Sequence, residues 1–139
     1  MPLPDHDLLR AEIARVAPTD ATVKVILTRG TSTRGYAIAN DVPPRRIVSA
    51  FPARNAIEGV AVRRCELVLS EQPRLAGAKT LNRLENVLAR SEWHDPGIAE
   101  GLLGDAHGHV VEGTMSNLFV VHGGEVATPR LDRCGIVGA

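Results

Sequence analysis

Lysine is scarce in this sequence, because only Lys24 and Lys79 are lysines among 16 basic residues. A lysine amine can form a Schiff base with a carbonyl compound once it is deprotonated, so covalent catalysis of that kind has two candidates. The chain also lacks an excess of charge, since 16 acidic residues balance the basic ones. Because nucleic-acid binding relies on an excess of positive charge, we expect no nucleic-acid partner.

Cysteines, metal-binding motifs and long apolar runs are also few or absent. Cys65 and Cys134 are too far apart for a disulfide framework or a zinc site, and we interpret both as reduced thiols of a cytoplasmic protein. The five histidines form no HxxxH or HExxH pattern, so we predict no metal site. No run of about 18 apolar residues occurs and MPLPDHD is not a signal peptide, so we expect a soluble protein without a membrane partner.

The composition of 44% apolar and 23% charged residues is that of a globular protein, and 139 residues suffice for a real core. Periodicity in the first part predicts one helix followed by β-branched strands. The polar segment PARNAIEG, residues 52–59, interrupts this pattern and predicts a domain boundary. The expected elements are a helix over Asp5–Val16 with Asp5 as its N-cap and Pro18 as its stop, and strands over Thr22–Thr28, Arg46–Phe51 and Val60–Leu69.

The stretch from Lys79 to Asn117 combines residue types that can carry chemistry. Lys79 is predicted to lie at the N-terminus of an amphipathic helix over Leu81–Trp93. The partial positive charge of a helix N-terminus would lower the pKa of the lysine amine. The helix is expected to turn one stripe inward, formed by Leu81, Leu84, Val87, Leu88 and Ser91. Further on, strands are predicted over Ile98–Leu103, Val110–Glu112 and Asn117–Val121, with Glu112 at the end of the second.

Taken alone, each of these residues has a simpler interpretation. A lysine before a helix is usually a solvated charge, and a glutamate at a strand end is usually on the surface. The RGTSTRGYAI loop, residues 29–38, could present guanidinium and amide groups to an anion, but such a loop is more often a turn with solvated arginines. In the same way, CGIVG near the end is a weak phosphate-binding pattern by itself.

Together the motifs LAGAKTLNRLENVLARSEW, VVEGTMSNLF and TPRLDRCGIVG resemble the fold-type IV enzymes that use pyridoxal 5′-phosphate (PLP). Among these enzymes, the sequences of the motifs are most similar to those of aminodeoxychorismate lyases, with branched-chain and D-amino acid aminotransferases as related families. The resemblance runs from about Thr22 to Ala139. It implies an α/β (α+β) fold, in which residues 1–53 end a small α/β domain and residues 54–139 begin a larger, β-barrel-like PLP-binding domain.

The resemblance also implies roles for individual residues. Lys79 would bind PLP covalently and move protons, and Glu112 would pair with the protonated ring nitrogen. The remaining cofactor contacts would come from Arg83, Asn117 and the backbone amides of Ile136 and Val137, and the substrate contacts from Arg34 and Tyr36.

The family's activity, as this resemblance implies it, is a lyase reaction that converts aminodeoxychorismate to p-aminobenzoate and pyruvate in folate biosynthesis. A cytoplasmic homodimer acting on a small molecule is expected. Two alternatives remain open: a branched-chain or D-amino acid aminotransferase with the same cofactor, and a non-catalytic remnant. The remnant is considered because members of the family carry strands before the first helix and continue beyond GIVG, so we expect a partial protein.

Overall fold

The computed structural model describes residues 5–17, 19–38, 40–53 and 58–136. The chain divides into two compact units, Met1–Ala56 and Ile57–Ala139, which are called the first and second unit below. The elements in chain order are α1 (His6–Val16), β1 (Ala21–Thr28), β2 (Arg45–Pro52), β3 (Ala61–Val68), α2 (Leu84–Arg90), β4 (Ile98–Gly104), β5 (Val110–Gly113), β6 (Val120–His122) and β7 (Glu125–Ala127).

The first unit pairs α1 with an antiparallel ribbon of β1 and β2. The predicted N-cap is confirmed, because the Asp5 carboxylate accepts hydrogen bonds from the amides of Asp7 and Leu8. Helix and ribbon are joined by Arg46, whose guanidinium donates two hydrogen bonds of 2.9 Å to the two carboxylate oxygens of Glu12. Pro18, the predicted stop of this helix, lies outside the described residues.

The second unit contains a three-stranded sheet in the order β3-β4-β5. Strand β4 is parallel to β3 and antiparallel to β5. A parallel pair needs a crossover connection, and α2 lies in the segment that returns the chain from the end of β3 to the start of β4. The predicted strands are confirmed here. Along β3 and the residue after it, Cys65 and Leu69 are buried whereas Val62 and Val68 are exposed.

The core of the second unit lies between α2 and this sheet. Trp93 anchors it: its indole N–H donates to the carbonyl oxygen of Ile98 at 3.1 Å, and the Arg90 guanidinium lies 4.5 Å from the ring centroid. Both cysteines are free thiols, and burial raises their pKa. The buried apolar side chains are Cys65, Leu69, Ala89, Trp93, Leu103, Val111 and Cys134.

Helix α2 is shorter than the predicted Leu81–Trp93, because it begins at Leu84 and ends at Arg90. At its start, Arg83 is the N-cap, and its guanidinium bonds the carbonyl oxygens of Ala78 and Thr80, so side-chain contacts hold this segment where helical hydrogen bonds were expected. At its end, the Glu92 carboxylate accepts hydrogen bonds from two amides of β3, which takes residue 92 out of the helix.

The predicted inward stripe of this helix is wrong. Leu81, Leu84, Val87 and Leu88 are all exposed, and Ser91 is exposed as well. The inward face instead carries Ala89, which is fully buried, and the half-buried Glu85 and Asn86. These two polar residues face inward because each has a partner there: the Glu85 carboxylate accepts from the Ser70 amide, and Asn86 bonds the end of β5.

The last part of the chain forms a small hairpin, β6-β7. The predicted strand over Asn117–Val121 is displaced, since pairing begins only at Val120. Gly123 and Gly124 make the turn, both with positive φ (58° and 84°), which is the conformation that a tight two-residue hairpin turn requires.

The described residues bear on membrane crossing and on metal binding. Neither helix there has the length and apolar character that crossing a bilayer demands. Within the same residues, no group of three or more histidine, cysteine, aspartate or glutamate side chains could hold a metal ion.

Candidate functional site

Glu112 is the most deeply buried charged residue in the described chain, with 1% of its side chain exposed. It lies on β5, where the three consecutive residues Val111, Glu112 and Gly113 are all buried in the second unit. One carboxylate oxygen, Oε1, accepts a hydrogen bond of 3.3 Å from the side-chain amide of Asn86. The other, Oε2, accepts one of 2.7 Å from the backbone amide of Ile136. Two different chain segments therefore fix this carboxylate.

Ile136 connects Glu112 to the segment that carries Lys79. It forms a parallel bridge with Gly77, and the Gly77 amide donates to the Gly135 carbonyl oxygen at 3.0 Å. The Ile136 carbonyl oxygen in turn accepts a 2.9 Å hydrogen bond from the side-chain amide of Asn117. Two residues that the sequence singled out, Glu112 and Asn117, thus hold Ile136 from its amide and its carbonyl.

Gly135 is required for this approach. Its φ of +80° favours glycine, and a Cβ at this position would lie 2.6 Å from a methyl carbon of Val111 and 3.1 Å from Oε2 of Glu112. A larger residue would therefore push the Ile136 amide away from the carboxylate.

Lys79 is exposed and lies two positions after Gly77 in a segment without helix or strand. The prediction that it stands at a helix N-terminus is wrong, because the helix begins only at Leu84 and Arg83 serves as N-cap. The guanidinium of Arg83 turns back instead and donates to the carbonyl oxygens of Thr80 (3.0 Å) and Ala78 (3.3 Å), on either side of Lys79. Among the described residues, the Lys79 amine has no hydrogen-bond or ion-pair partner.

The turn that follows β5 is organised by a second buried carboxylate, Glu100 of β4. It accepts hydrogen bonds from the backbone amides and hydroxyl groups of the turn, including the Ser116 hydroxyl at 2.7 Å and the Thr114 amide at 3.0 Å. Burial raises the pKa of Glu100, but the hydrogen bonds from Thr114 and Ser116 outweigh it, and the pKa lies below its ordinary value. Glu100 thereby fixes the backbone between Glu112 and Asn117.

Sequence reasoning missed both Glu100 and Asn86. A signal for Glu100 was present, because a single glutamate in the otherwise apolar strand IAEGLLG has to find donors inside the protein. No such signal pointed to Asn86, because the apolar pattern of the helix predicts that the leucines on the opposite side face inward.

The predicted substrate residues lie in the first unit. Arg34 and Tyr36 are both exposed in the loop between β1 and β2. Tyr36 lines a cavity of about 220 Å³, and Arg34 does not. The other lining residues are Arg29, Gly30, Thr31, Ser32, Gly35, Ala37, Ile38 and Val42.

The structure therefore brings some of the predicted residues together within the second unit. Glu112, Asn117 and Ile136 are hydrogen-bonded to one another in a chain, and the segment holding Lys79 and Arg83 is attached to Ile136 through Gly77. Val137, the other predicted phosphate contact, lies outside the described residues. Arg34 and Tyr36 belong to the other unit.

The family follows from a comparison with known proteins, since a model of the amino-transferase class IV family matches residues 4–139. The chain belongs to the amino-transferase class IV family. An aminodeoxychorismate lyase from Vibrio harveyi is 35% identical over an alignment of 145 positions, which covers 99% of this chain and 54% of that protein. A relative from Methanocaldococcus jannaschii, provisionally named a branched-chain amino-acid aminotransferase, is 30% identical over 79% of this chain and 39% of its own length.

Solved structures of the class IV family agree with this. The crystal structure of 4-amino-4-deoxychorismate lyase from Pseudomonas aeruginosa superposes with a TM-score of 0.85 at 47% identity, covering 97% of this chain and 53% of that one. The expected mixed α/β fold is thus confirmed as that of the family. The chain spans about half the length of the lyases that it matches.

Proposed function

We propose that this chain provides the lysine- and glutamate-bearing part of a PLP-dependent lyase that converts aminodeoxychorismate to p-aminobenzoate and pyruvate. The observation that carries the proposal is the buried Glu112 carboxylate, which is linked through Ile136 to the segment of Lys79. The names of the relatives from Vibrio harveyi and Pseudomonas aeruginosa support the lyase reaction over others.

The residues present fit PLP in their chemistry. The cofactor has an aldehyde that reacts with an amine, a ring nitrogen that binds a proton, and a phosphate that accepts hydrogen bonds. Lys79 offers an exposed amine with no partner among the described residues, and Glu112 offers a buried carboxylate that can face a protonated nitrogen. Arg83 offers a guanidinium, now occupied by carbonyl oxygens, and Ile136 a backbone amide.

When bound, PLP supplies an electron sink for bonds that break at the amine-bearing carbon of the substrate. Glu112 would keep a proton on the ring nitrogen, because a carboxylate in a buried site favours a neighbouring positive charge. Lys79 would hold the cofactor and, once released from it, would take and return protons as general base and acid. Asn117 and Ile136 would fix the wall beside the cofactor, since their mutual hydrogen bond holds that segment.

One contact has to change when the cofactor enters. The ring nitrogen and the phosphate lie at different positions of the PLP molecule, whereas Glu112 and the Ile136 amide are 2.7 Å apart and bonded to each other. The amide of Ile136 would therefore have to release Oε2 of Glu112 in order to bind the phosphate. Val137 is proposed as the second phosphate-binding amide.

The first unit would supply the substrate contacts. Arg34 is proposed to meet the substrate carboxylate and Tyr36 to line its path, since both are exposed in a loop that contains a cavity. We further propose that residues 1–53 end a small domain and residues 54–139 begin the PLP-binding domain, and that the protein is a cytoplasmic homodimer.

A transaminase with the same cofactor is the second candidate, because the Methanocaldococcus relative has an aminotransferase name. Lys79 and Glu112 would serve both reactions, so neither residue discriminates. A non-catalytic remnant is the third candidate, and it predicts neither reaction.

Product analysis separates the three. The 139-residue chain is incubated with PLP and aminodeoxychorismate, and p-aminobenzoate and pyruvate are measured, with Lys79→Arg as the inactive control and Lys24→Arg as the matched active one. Equal amounts of both products, lost only in Lys79→Arg, support the lyase. In a parallel incubation with PLP, a branched-chain amino acid and a 2-oxo acid, amino transfer would favour the transaminase. Neither activity, together with no PLP absorbance change, would favour the remnant.

A further inference from the structure

We propose that Asn86 is a positioning residue, whose side-chain amide sets the orientation of the Glu112 carboxylate in the cofactor site. The proposal deepens the function given above and rests on it for the role of Glu112. It is carried by hydrogen-bond geometry in the second unit, where Asn86 joins helix α2 to the end of β5.

Asn86 contacts two groups with one nitrogen. Its Nδ2 donates to Oε1 of Glu112 at 3.3 Å and to the carbonyl oxygen of Thr114 at 3.1 Å. Glu112 and Thr114 lie on either side of Gly113, so Asn86 spans the end of the strand. An aliphatic residue here would leave both acceptors without this donor.

The two oxygens of Glu112 are held from different directions. Oε2 accepts from the Ile136 amide, and Oε1 accepts from Asn86 alone among the described residues. Because the side chain is 1% exposed, no bulk water is available to replace a lost donor. Without Asn86 the Glu112 carboxylate is free to rotate about its last bond. The geometry of its hydrogen bond with the Ile136 amide is then no longer fixed.

The orientation of α2 also points to Asn86. The helix leaves Leu84, Val87 and Leu88 exposed and turns Asn86 inward beside the fully buried Ala89. A polar amide on the inner face, with larger apolar residues outside, is costly unless the amide is bonded there. Its partner is the carboxylate proposed to face the ring nitrogen.

The positioning role predicts a change at Ile136, which Asn86 does not contact. In Asn86→Ala, the protection of the Ile136 amide against hydrogen exchange should fall about fivefold, the effect of one lost hydrogen bond. Ser91→Ala is the matched control, because it removes a hydrogen bond in the same helix region, from the Ser91 hydroxyl to the Leu88 carbonyl oxygen, that does not involve Glu112 or its two donors. It should leave Ile136 unchanged.

A double substitution separates positioning from general packing. In a Glu112→Gln background the side-chain amide of residue 112 cannot accept from both sides, so Asn86→Ala should cost no further protection at Ile136. An equal loss in both backgrounds would overturn the proposal. If Asn86→Ala does not fold, the carboxamide protons of Asn86 in the unsubstituted chain should exchange more slowly than those of the exposed Asn40, and equal rates would overturn it as well.

A pair of ligands connects the inference to the cofactor. Asn86→Ala should weaken binding of PLP about fivefold and leave binding of its 1-deaza analogue, which lacks the ring nitrogen, unchanged. Equal weakening for both ligands would contradict an action through Glu112. If the unsubstituted chain binds neither ligand, the proposed function fails, and the exchange measurements still decide whether Asn86 positions Glu112.

Discussion

At the residue scale, Glu112 combines deep burial with two incoming N–H donors, from Asn86 and Ile136. A glutamine at this position has the same shape but only one acceptor atom, so one of the two donors would face an NH2 group. We expect Glu112→Gln to lower the free energy of unfolding by about 1–3 kcal/mol. Urea unfolding measures this, with the exposed Glu66→Gln as a control that should change it by less than about 0.5 kcal/mol.

The same substitution tests the proposed chemistry. An amide cannot keep the ring nitrogen protonated, so Glu112→Gln should slow turnover more than it weakens PLP binding. Titration of PLP by absorbance gives the binding, and p-aminobenzoate release gives the turnover. In a homologue that carries the same motif and is active, unchanged turnover would remove Glu112 from the mechanism.

A pH effect is expected from Asp105 in the turn between β4 and β5. The hydrogen bond from the His109 ring, together with two backbone amides, lowers the pKa of Asp105 to about 2. A carboxyl group whose pKa in the folded state is below its ordinary value, about 3.9, stabilises the fold above that value. This stabilisation should be lost as the pH falls from about 4 to about 2.

The measurement is the urea midpoint between pH 2 and pH 6. Asp105→Asn should flatten the dependence in the interval from about 4 to about 2, where the unsubstituted chain loses stability. A dependence that is equally steep in both proteins would show that other carboxylates cause it.

At the scale of the elements, α1 and the strands β1, β2 and β3 were easier to predict than α2. The β-branched runs gave β1, β2 and β3 within about a residue at each end, because alternation with burial on one face is a local property. The bounds and orientation of α2 could not be predicted, since they depend on distant partners. The side chains of Glu85, Asn86 and Glu92 are satisfied by residues that are remote in sequence, namely Ser70 just after β3, Glu112 in β5 and the amides of β3.

The orientation of α2 has a direct test in two neighbouring residues. Leu88 is exposed and Ala89 is fully buried, so Leu88→Ala should cost less than about 1 kcal/mol, whereas Ala89→Leu should cost about 1–3 kcal/mol through overpacking. Thermal or urea unfolding of both variants checks this. The stripe expected from the sequence predicts the reverse, with Leu88→Ala costing about 2–5 kcal/mol.

The same contrast holds for the candidate site, where the identities of residues could be predicted from the sequence but their contacts could not. The sequence was enough to name Lys79, Glu112, Asn117 and the CGIVG segment, because the order and the sequences of their motifs resemble a known family. Their contacts could not be predicted: the hydrogen bond between Glu112 and Ile136, and the carboxylate of Glu100 behind the turn, arise only when β4, β5 and the last segment come together.

At the scale of the whole molecule, many large apolar side chains of the described residues are exposed. They include Val60, Val62 and Val68 around β3 and the leucines of α2. Exposed apolar surface of this extent favours association. We expect the purified 139-residue chain to self-associate at micromolar concentrations. We also expect it to bind PLP weakly, because the Arg83 guanidinium and the Ile136 amide already have other partners.

Size-exclusion chromatography over a range of concentrations, run beside a PLP titration, tests this expectation. A variant with Val62→Thr and Leu88→Gln should associate less while keeping its far-ultraviolet circular dichroism spectrum. A clean monomer that binds PLP with micromolar or tighter affinity would contradict both parts.

We propose that Lys79, and not Lys24, would bind PLP. Lys24 lies in the middle of β1, whereas Lys79 lies in a segment joined to Ile136 and so to Glu112. The chain is saturated with PLP, the covalent link is fixed with borohydride, and the modified peptide is identified by mass spectrometry. We predict modification of Lys79 in the unsubstituted chain and in Lys24→Arg, and none in Lys79→Arg. Modification of Lys24 alone, or of neither lysine, would contradict the account.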